Sequence, residues 1–253
     1  MSLCLDLHRP DTGTDVPGVV YFHAGGFARG SRKDNAEQRL IPLAAHGVAV
    51  ASVSYRLTDV ATHPAQLDDA RAAVRWLRTH GAEHGLRTDS VGAWGVSAGG
   101  WIALMLALTP ADPAASVQAA AAWFAPTDLA TLAPQRDAAG LPLPPFLAGR
   151  PAPDMEAGLL GVTMVTDDLD AAWAASPLAH VSGADGPVLL IHGDSDGLIN
   201  AQQSTTLHHA LTDAGHESQL MLLAGANHED PAFHKPAVLA ATAGFFSAAL
   251  SAR

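Results

Sequence analysis

Residues 90–108 read SVGAWGVSAGGWIALMLAL. An apolar, strand-like run ends at Val96 and a helix-forming run opens at Ala98, with a single serine between them and glycines on both sides. A strand that passes this abruptly into a helix is the first half of a parallel crossover. The rest of the chain repeats the rhythm. Apolar runs at 3–7, 18–22, 48–53, 91–96, 119–124, 188–191 and 219–223 have strand length, and most are apolar throughout rather than alternating. Such strands need cover on both faces, which implies a mostly parallel sheet with helices on both sides: an α/β fold.

Helical periodicity fills the gaps. In PAQLDDARAAVRWLRTHGAEHG, Leu67, Ala70, Val74 and Leu77 share one face, with Pro64 near the start and Gly81 near the end. Val238, Ala241, Phe245 and Ala249 repeat the spacing at the C-terminus. The span 126–185 breaks the pattern. It contains GLPLPPFLAGRPAP and shows only a weak helical period, around 167–173, so it is expected to form a small irregular cap over the sheet. No internal repeat or linker calls for a second domain, so residues 1–253 are expected to form one.

Composition narrows the function classes. Apolar residues are 48% of the 253 and charged residues 15%, which leaves ample material for a core. The formal net charge of −11 argues against nucleic acid or an anionic membrane surface as partner. A second copy of the chain, as a homodimer, is the macromolecular partner left open. Cys4 is the only cysteine, so no intrachain disulfide forms. The N-terminal residues lack a basic segment followed by a long apolar stretch, and the apolar run 101–108 is too short to span a bilayer. A cytoplasmic protein is expected, although a processed secreted form would look the same.

The glycines around Ser97 carry chemistry as well as topology. Small residues two before and two after a serine permit a turn tight enough to lift the hydroxyl above the sheet edge, at a helix N-terminus. A serine nucleophile needs a base, and the base needs an orienting acid. PVLLIHGDSDGLI is an apolar strand entering a loop with Asp194 and Asp196, and LMLLAGANHED is another entering a loop with His228. A serine, a carboxylate and a histidine thus follow three strand ends, in the order that this fold class uses for such a trio. Thirteen histidines raise a metal alternative. However, His208 and His209 are adjacent in a helix, and His80 and His84 have no third ligand nearby, so neither a metal nor another cofactor is expected.

A second glycine cluster precedes all of this. Residues 21–30, YFHAGGFARG, form a glycine-rich turn after a strand, which exposes backbone N–H groups suited to negative charge. A phosphate loop would need Lys-Ser or Lys-Thr after the glycines, and Phe27-Ala28-Arg29 supplies neither.

The chain resembles the α/β-hydrolase superfamily, most closely the carboxylesterase branch that includes hormone-sensitive-lipase-like and feruloyl-esterase-like enzymes. The resemblance runs through YFHAGGFARGS, SVSYRL, PAQLDDARAAVRWLR, GAWGVSAGGWIAL, AWFAPTDL, ASPLAHVS, LLIHGDSDGLINAQQSTTLHHAL and AGANH, nearly the whole chain. It implies Ser97 as nucleophile, His228 as general base and Asp196 as acid, with Asp194 shaping the loop or, alternatively, serving as the acid itself. His192 becomes a packed histidine and Asp69 a scaffold residue. The oxyanion hole is then formed by the N–H groups of Gly25, Gly26 and Ala98. Ala24 departs from the family's H-G-G-G turn, and its methyl would cost of order 1 kcal/mol if that position required positive φ.

Phe27, Trp101, Trp123 and Phe124 lie next to these motifs and are candidate pocket residues. The charge-poor cap suggests a small or medium uncharged ester. An arylformamidase would use the same triad, a prolyl-oligopeptidase-type peptidase usually carries a large extra domain, and a non-catalytic member would normally have lost a triad residue.

Overall fold

The computed structural model describes residues 3–11, 13, 15–110 and 112–251. Seven strands form one sheet: β1 (Leu5–His8), β2 (Val16–Phe22), β3 (Ala49–Val53), β4 (Leu86–Val96), β5 (Ala119–Trp123), β6 (Val188–Gly193) and β7 (Ser218–Leu223). Their order is β1-β3-β2-β4-β5-β6-β7, with only β1 antiparallel to its neighbour and every other pairing parallel. The fold is the expected mostly parallel α/β sheet. The strand expectations shift mainly at β4, which starts five residues earlier than the apolar run because Arg87, Thr88, Asp89 and Ser90 are extended but polar.

Side-chain alternation divides the core. Val20 and Phe22 pack on one face with Leu67, Val74 and Leu77 of α2 (Ala65–His80) and Ile102 of α3 (Ala98–Leu108). Val19 and Tyr21 point to the other face, toward Leu43 of α1 (Ile41–Ala44) and Val238 and Phe246 of α8 (Pro236–Ala249). A period of two in β2 therefore serves both helical layers.

The span 126–185 is more regular than its sequence suggests. It contains α4 (Leu132–Ala139), α5 (Met155–Leu160) and α6 (Leu169–Ala174), linked by 3₁₀ turns. Helices this short complete too few turns to show a period, and local caps define them instead. Asp154 Oδ1 accepts from the Ala157 N–H at 3.1 Å, and Asp168 Oδ1 from the Ala171 N–H at 2.8 Å. A side chain of a later helix holds the start of the segment in place. The Gln203 amide oxygen on α7 (Gln202–Asp213) accepts from the N–H groups of Thr127 and Asp128, both at 2.7 Å. No helix among the described residues is long and apolar enough to cross a membrane.

Candidate active site

The turn after β4 is held under backbone strain. Ser97 has φ 53° and ψ −123°, a conformation uncommon for a residue with a side chain. Close approach explains the flanking glycines: a Cβ on Gly95 would run into the Gly99 carbonyl, and one on Gly99 into the Phe22 carbonyl. The Ser97 N–H donates to Trp123 O at 2.9 Å, which fixes the turn to β5.

The loops after β6 and β7 meet at this serine. Ser97 Oγ lies 3.0 Å from His228 Nε2, and His228 Nδ1 lies 2.7 Å from Asp196 Oδ2. Asp196 Oδ1 accepts from the N–H groups of Leu198 and Ile199, each at 2.9 Å. The carboxylate, acceptor at both oxygens, thus receives Nδ1–H and leaves Nε2 free to accept the serine proton. Burial pushes the Asp196 carboxyl up, but the charge of His228 and the hydrogen bond it donates, with the His192 ring close by, outweigh it and hold it well below the usual range.

The neighbouring residues have separate duties. Asp194 Oδ1 accepts from the Gly225 N–H at 2.7 Å and shapes the loop without reaching His228. His192 Nε2 is 3.4 Å from Asp196 Oδ2 but 2.8 Å from the Ile199 carbonyl. A carbonyl can only accept, so we assign the proton there, and Nδ1 accepts from the Ser204 hydroxyl at 2.7 Å. Asn227 joins the two loops: its Oδ1 accepts from the Gly197 and His228 N–H groups at 3.1 and 2.7 Å. Its Nδ2 donates to Pro142 O at 2.9 Å, which connects them to the insertion. Asp69 receives a forked bond from Arg56, with contacts of 2.8 to 3.0 Å, and braces the loop after β3 against α2.

The glycine turn after β2 lies beside the serine. Gly25 (φ 130°) and Gly26 (φ 59°) occupy the left-handed half of backbone space, whereas Ala24 does not, so the alanine carries none of the anticipated strain. A Cβ on Gly25 would strike the Arg29 carbonyl. The Gly25 and Gly26 N–H groups have no hydrogen-bond partner among the described residues. Ala98 opens α3, where first-turn N–H groups have no intrahelical acceptor. Behind the turn, the Tyr55 hydroxyl donates to His23 O at 2.9 Å and the two rings stack at 4.3 Å.

A cavity of about 460 Å³ opens over Ser97 and His228, lined also by Gly25 and Gly26. None of the four candidate pocket aromatics lines it. Phe27 and Trp101 pack edge-to-face at 5.3 Å in the α2–α3 layer, with Trp101 Nε1 donating to Ala175 O. Trp123 points to the opposite layer, between Trp94 and Phe233. Phe124 sits edge-on to the His228 ring at 4.8 Å and supports it while remaining fully buried. Apart from the contact of Phe124 with His228, their nearness to the motifs is along the chain only, and side-chain direction sends them into the core.

The insertion supplies the roof instead, through Leu132, Phe146, Leu147, Pro153, Met155 and Glu156. Sequence reading missed these residues; the readable trace was the apolar content of GLPLPPFL in a segment without strand or helix period. Glu156 stands out because burial pushes its carboxyl pKa up to about 7. The histidine pairs are occupied elsewhere. His80 and His84 lie against the Trp76 ring at 5.3 and 5.7 Å, and His208 Nδ1 contacts Ser218 Oγ.

Comparison with known proteins agrees with this architecture. A family model described as BD-FAE matches residues 5–211. The chain is 28% identical over 209 residues to the probable carboxylic ester hydrolase LipM of Mycobacterium tuberculosis, which covers 78% of this chain and 45% of LipM. It is 30% identical over 228 residues to the carboxylesterase NlhH of the same species, covering 87% of this chain and 65% of NlhH. The chain therefore spans about half the length of LipM and about two thirds of NlhH. A solved truncated carbohydrate esterase from gut microbiota superimposes with a TM-score of 0.84 at 23% identity, covering 98% of this chain and 91% of that one. The family match over most of the chain, carried on this sheet and this serine turn, places the protein in the BD-FAE family, on an α/β-hydrolase fold.

Proposed function

We propose that the protein is a serine carboxylesterase that cleaves esters through an acyl-enzyme. The observation that carries this reading is the unbroken relay from Ser97 through His228 to Asp196, at 3.0 and 2.7 Å, opening into a cavity beside two unpaired glycine N–H groups. His228 Nε2 takes the Ser97 proton as Oγ attacks the ester carbonyl. The carbonyl oxygen gains negative charge and is received by the N–H groups of Gly25, Gly26 and Ala98. Collapse breaks the bond to the alkoxide, which leaves as the alcohol with the proton from His228. Water then gives a proton to His228 and attacks the acyl carbon. The acid departs, and Ser97 recovers its proton.

Esterase names among the relatives support the reaction class, and the largely apolar roof supports a small or medium, largely uncharged substrate. The test is fluorophosphonate labelling with mapping of the adduct, alongside turnover of short p-nitrophenyl esters and N-formylkynurenine. Labelling at Ser97 with ester turnover is the expected result, and Ser97→Ala should lower kcat by about 10⁶-fold in a folded protein. Absence of label overturns the hydrolase reading. Turnover of the formamide alone would move the protein to the amidases.

A further inference from the structure

The insertion's share of the cavity lining is apolar with a single exception, Glu156. Its residue is only 7% exposed, and it faces the same space as Ser97 and His228. Among the described residues no neighbouring side chain hydrogen-bonds or ion-pairs with the carboxyl, and the donor facing it is its own backbone N–H. The charged groups around it are committed to other partners. Arg136 on α4 pairs with Asp137 at 3.2 Å, and Asp154 accepts from the N–H groups of Ala157 and Val165. His228, across the cavity, is engaged by Asp196 and Ser97. Arg29, Asp34 and Glu229 also line the cavity, but they belong to the glycine-rich turn, the residues after it and the base loop.

A mostly buried acid whose only hydrogen-bond donor from the protein is its own backbone N–H is costly, and leucine or methionine would fill this place at lower cost. A glutamate in the first turn of a helix does complement the helix dipole, but an exposed side chain meets that need equally well. Burial toward the reacting serine is what the dipole leaves unexplained. With no side-chain partner in the protein, the carboxyl has its remaining hydrogen-bonding capacity turned to the cavity's occupant.

We propose that Glu156 is a specificity-determining contact for the substrate. Its carboxyl hydrogen-bonds an uncharged carbonyl or hydroxyl on the arm of the ester beneath the insertion, and it turns away arms that carry a carboxylate. This rests on the hydrolase reading above. The neutral acid donates to a carbonyl, and the ionised form accepts from a hydroxyl. Its titration near neutrality makes the rejection of anions pH-dependent, because a protonated acid can share its proton with a substrate carboxylate while an ionised one repels it.

The experiment uses two isosteric series. One consists of p-nitrophenyl esters of 4-methylpentanoate, 4-oxopentanoate and succinate (the hemiester). The other consists of acetates of 4-methylpentanol, 5-hydroxypentan-2-one and 4-hydroxybutanoate. Ratios of kcat/KM within a series cancel any titration of the triad. In one series, wild-type preference for the methyl-branched over the anionic member should grow about tenfold between about pH 6 and about pH 8.5. Glu156→Gln should flatten that slope, and Glu156→Leu should remove a preference of about threefold or more for the ketone over the methyl branch. Ratios independent of pH in wild type, and equal in wild type and variants, would overturn the proposal. If one variant fails to fold, the other decides, since Asp34 and Glu229 also line the cavity and only a substitution at Glu156 assigns the slope to it. Fluorophosphonate labelling of Ser97 keeps the two failures apart: a labelled enzyme with flat ratios removes only the role of Glu156.

Discussion

The strand-end loops and the insertion above them are built on opposite plans. Around Ser97, Asp196 and His228 nearly every polar group has a partner, down to the two N–H groups on Asp196 Oδ1 and the amide of Asn227 between the loops. The insertion contributes apolar side chains from short capped helices and one buried acid with no neighbouring partner. Paired dipoles hold reacting atoms to a narrow geometry, and they work by being already in place before the charge develops. An apolar roof with one polar contact imposes shape and a single polar preference instead. The proposed chemistry and the proposed selectivity thus sit on separate pieces of backbone, which touch through Asn227 and Pro142.

That division can be broken most severely at the acid. Asp196→Asn should lower kcat by about 10⁴-fold, because an amide can present its N–H to His228 and favour the wrong tautomer, whereas Asp194→Asn should cost less than about tenfold. Steady-state kinetics on a p-nitrophenyl ester separates the two, and a reversed order would assign the acid to Asp194. Next, Gly25→Ala should reduce kcat by about 10²–10³-fold, since the added Cβ meets the Arg29 carbonyl and turns the donor away. Retained ester turnover in that variant would mean the hole is built elsewhere.

Changes in the roof should be milder and should alter selectivity. Leu147→Ala enlarges the cavity and should shift chain-length preference by about ten- to a hundredfold in relative kcat/KM, with a smaller change in kcat. A loss confined to kcat would place this residue in the chemical machinery and dissolve the distinction.

The smallest effect concerns stability. The folded pKa of Glu156, about 7, lies above the ordinary glutamate value of about 4.3, so the folded state binds its proton more tightly than the unfolded state does. Its ionisation therefore destabilises the fold progressively as pH rises from about 4.3 to about 7, by up to roughly 3 kcal/mol. Glu156→Gln should raise the urea midpoint at about pH 8 and change it little at about pH 4. Asp196 has the opposite sign. Its depressed carboxyl contributes stability above the ordinary aspartate value of about 3.9, and that contribution is lost as pH falls below it. An equal pH slope for the Glu156→Gln variant and wild type would show that the buried acid is solvated after all.

Seven apolar runs, the helix between Pro64 and Gly81 and the three residues at Ser97, Asp196 and His228 can all be read from residue order. Strand and helix periods are local, and a glycine on each side of a serine has a local steric cause that the structure reproduces at Gly95 and Gly99. The polar start of β4 and the helices α4 and α5 escaped notice because neither carries a period long enough to register. Phe27, Trp101, Trp123 and Phe124 show the same limit from another side: closeness along the chain says little about which way a ring points.

Local order decided the sheet, the serine turn and the identity of the residues at the strand ends, since each depends on neighbours within a few positions. Tertiary packing decided what covers the serine, why Ala24 is harmless and why Glu156 is buried beside it. Those outcomes depend on where an insertion of short helices comes to rest on the sheet, through bonds such as Gln203 to Thr127 and Asn227 to Pro142 that span many residues of chain. No short-range pattern encodes such contacts, because their energies exist only once the distant partners have met.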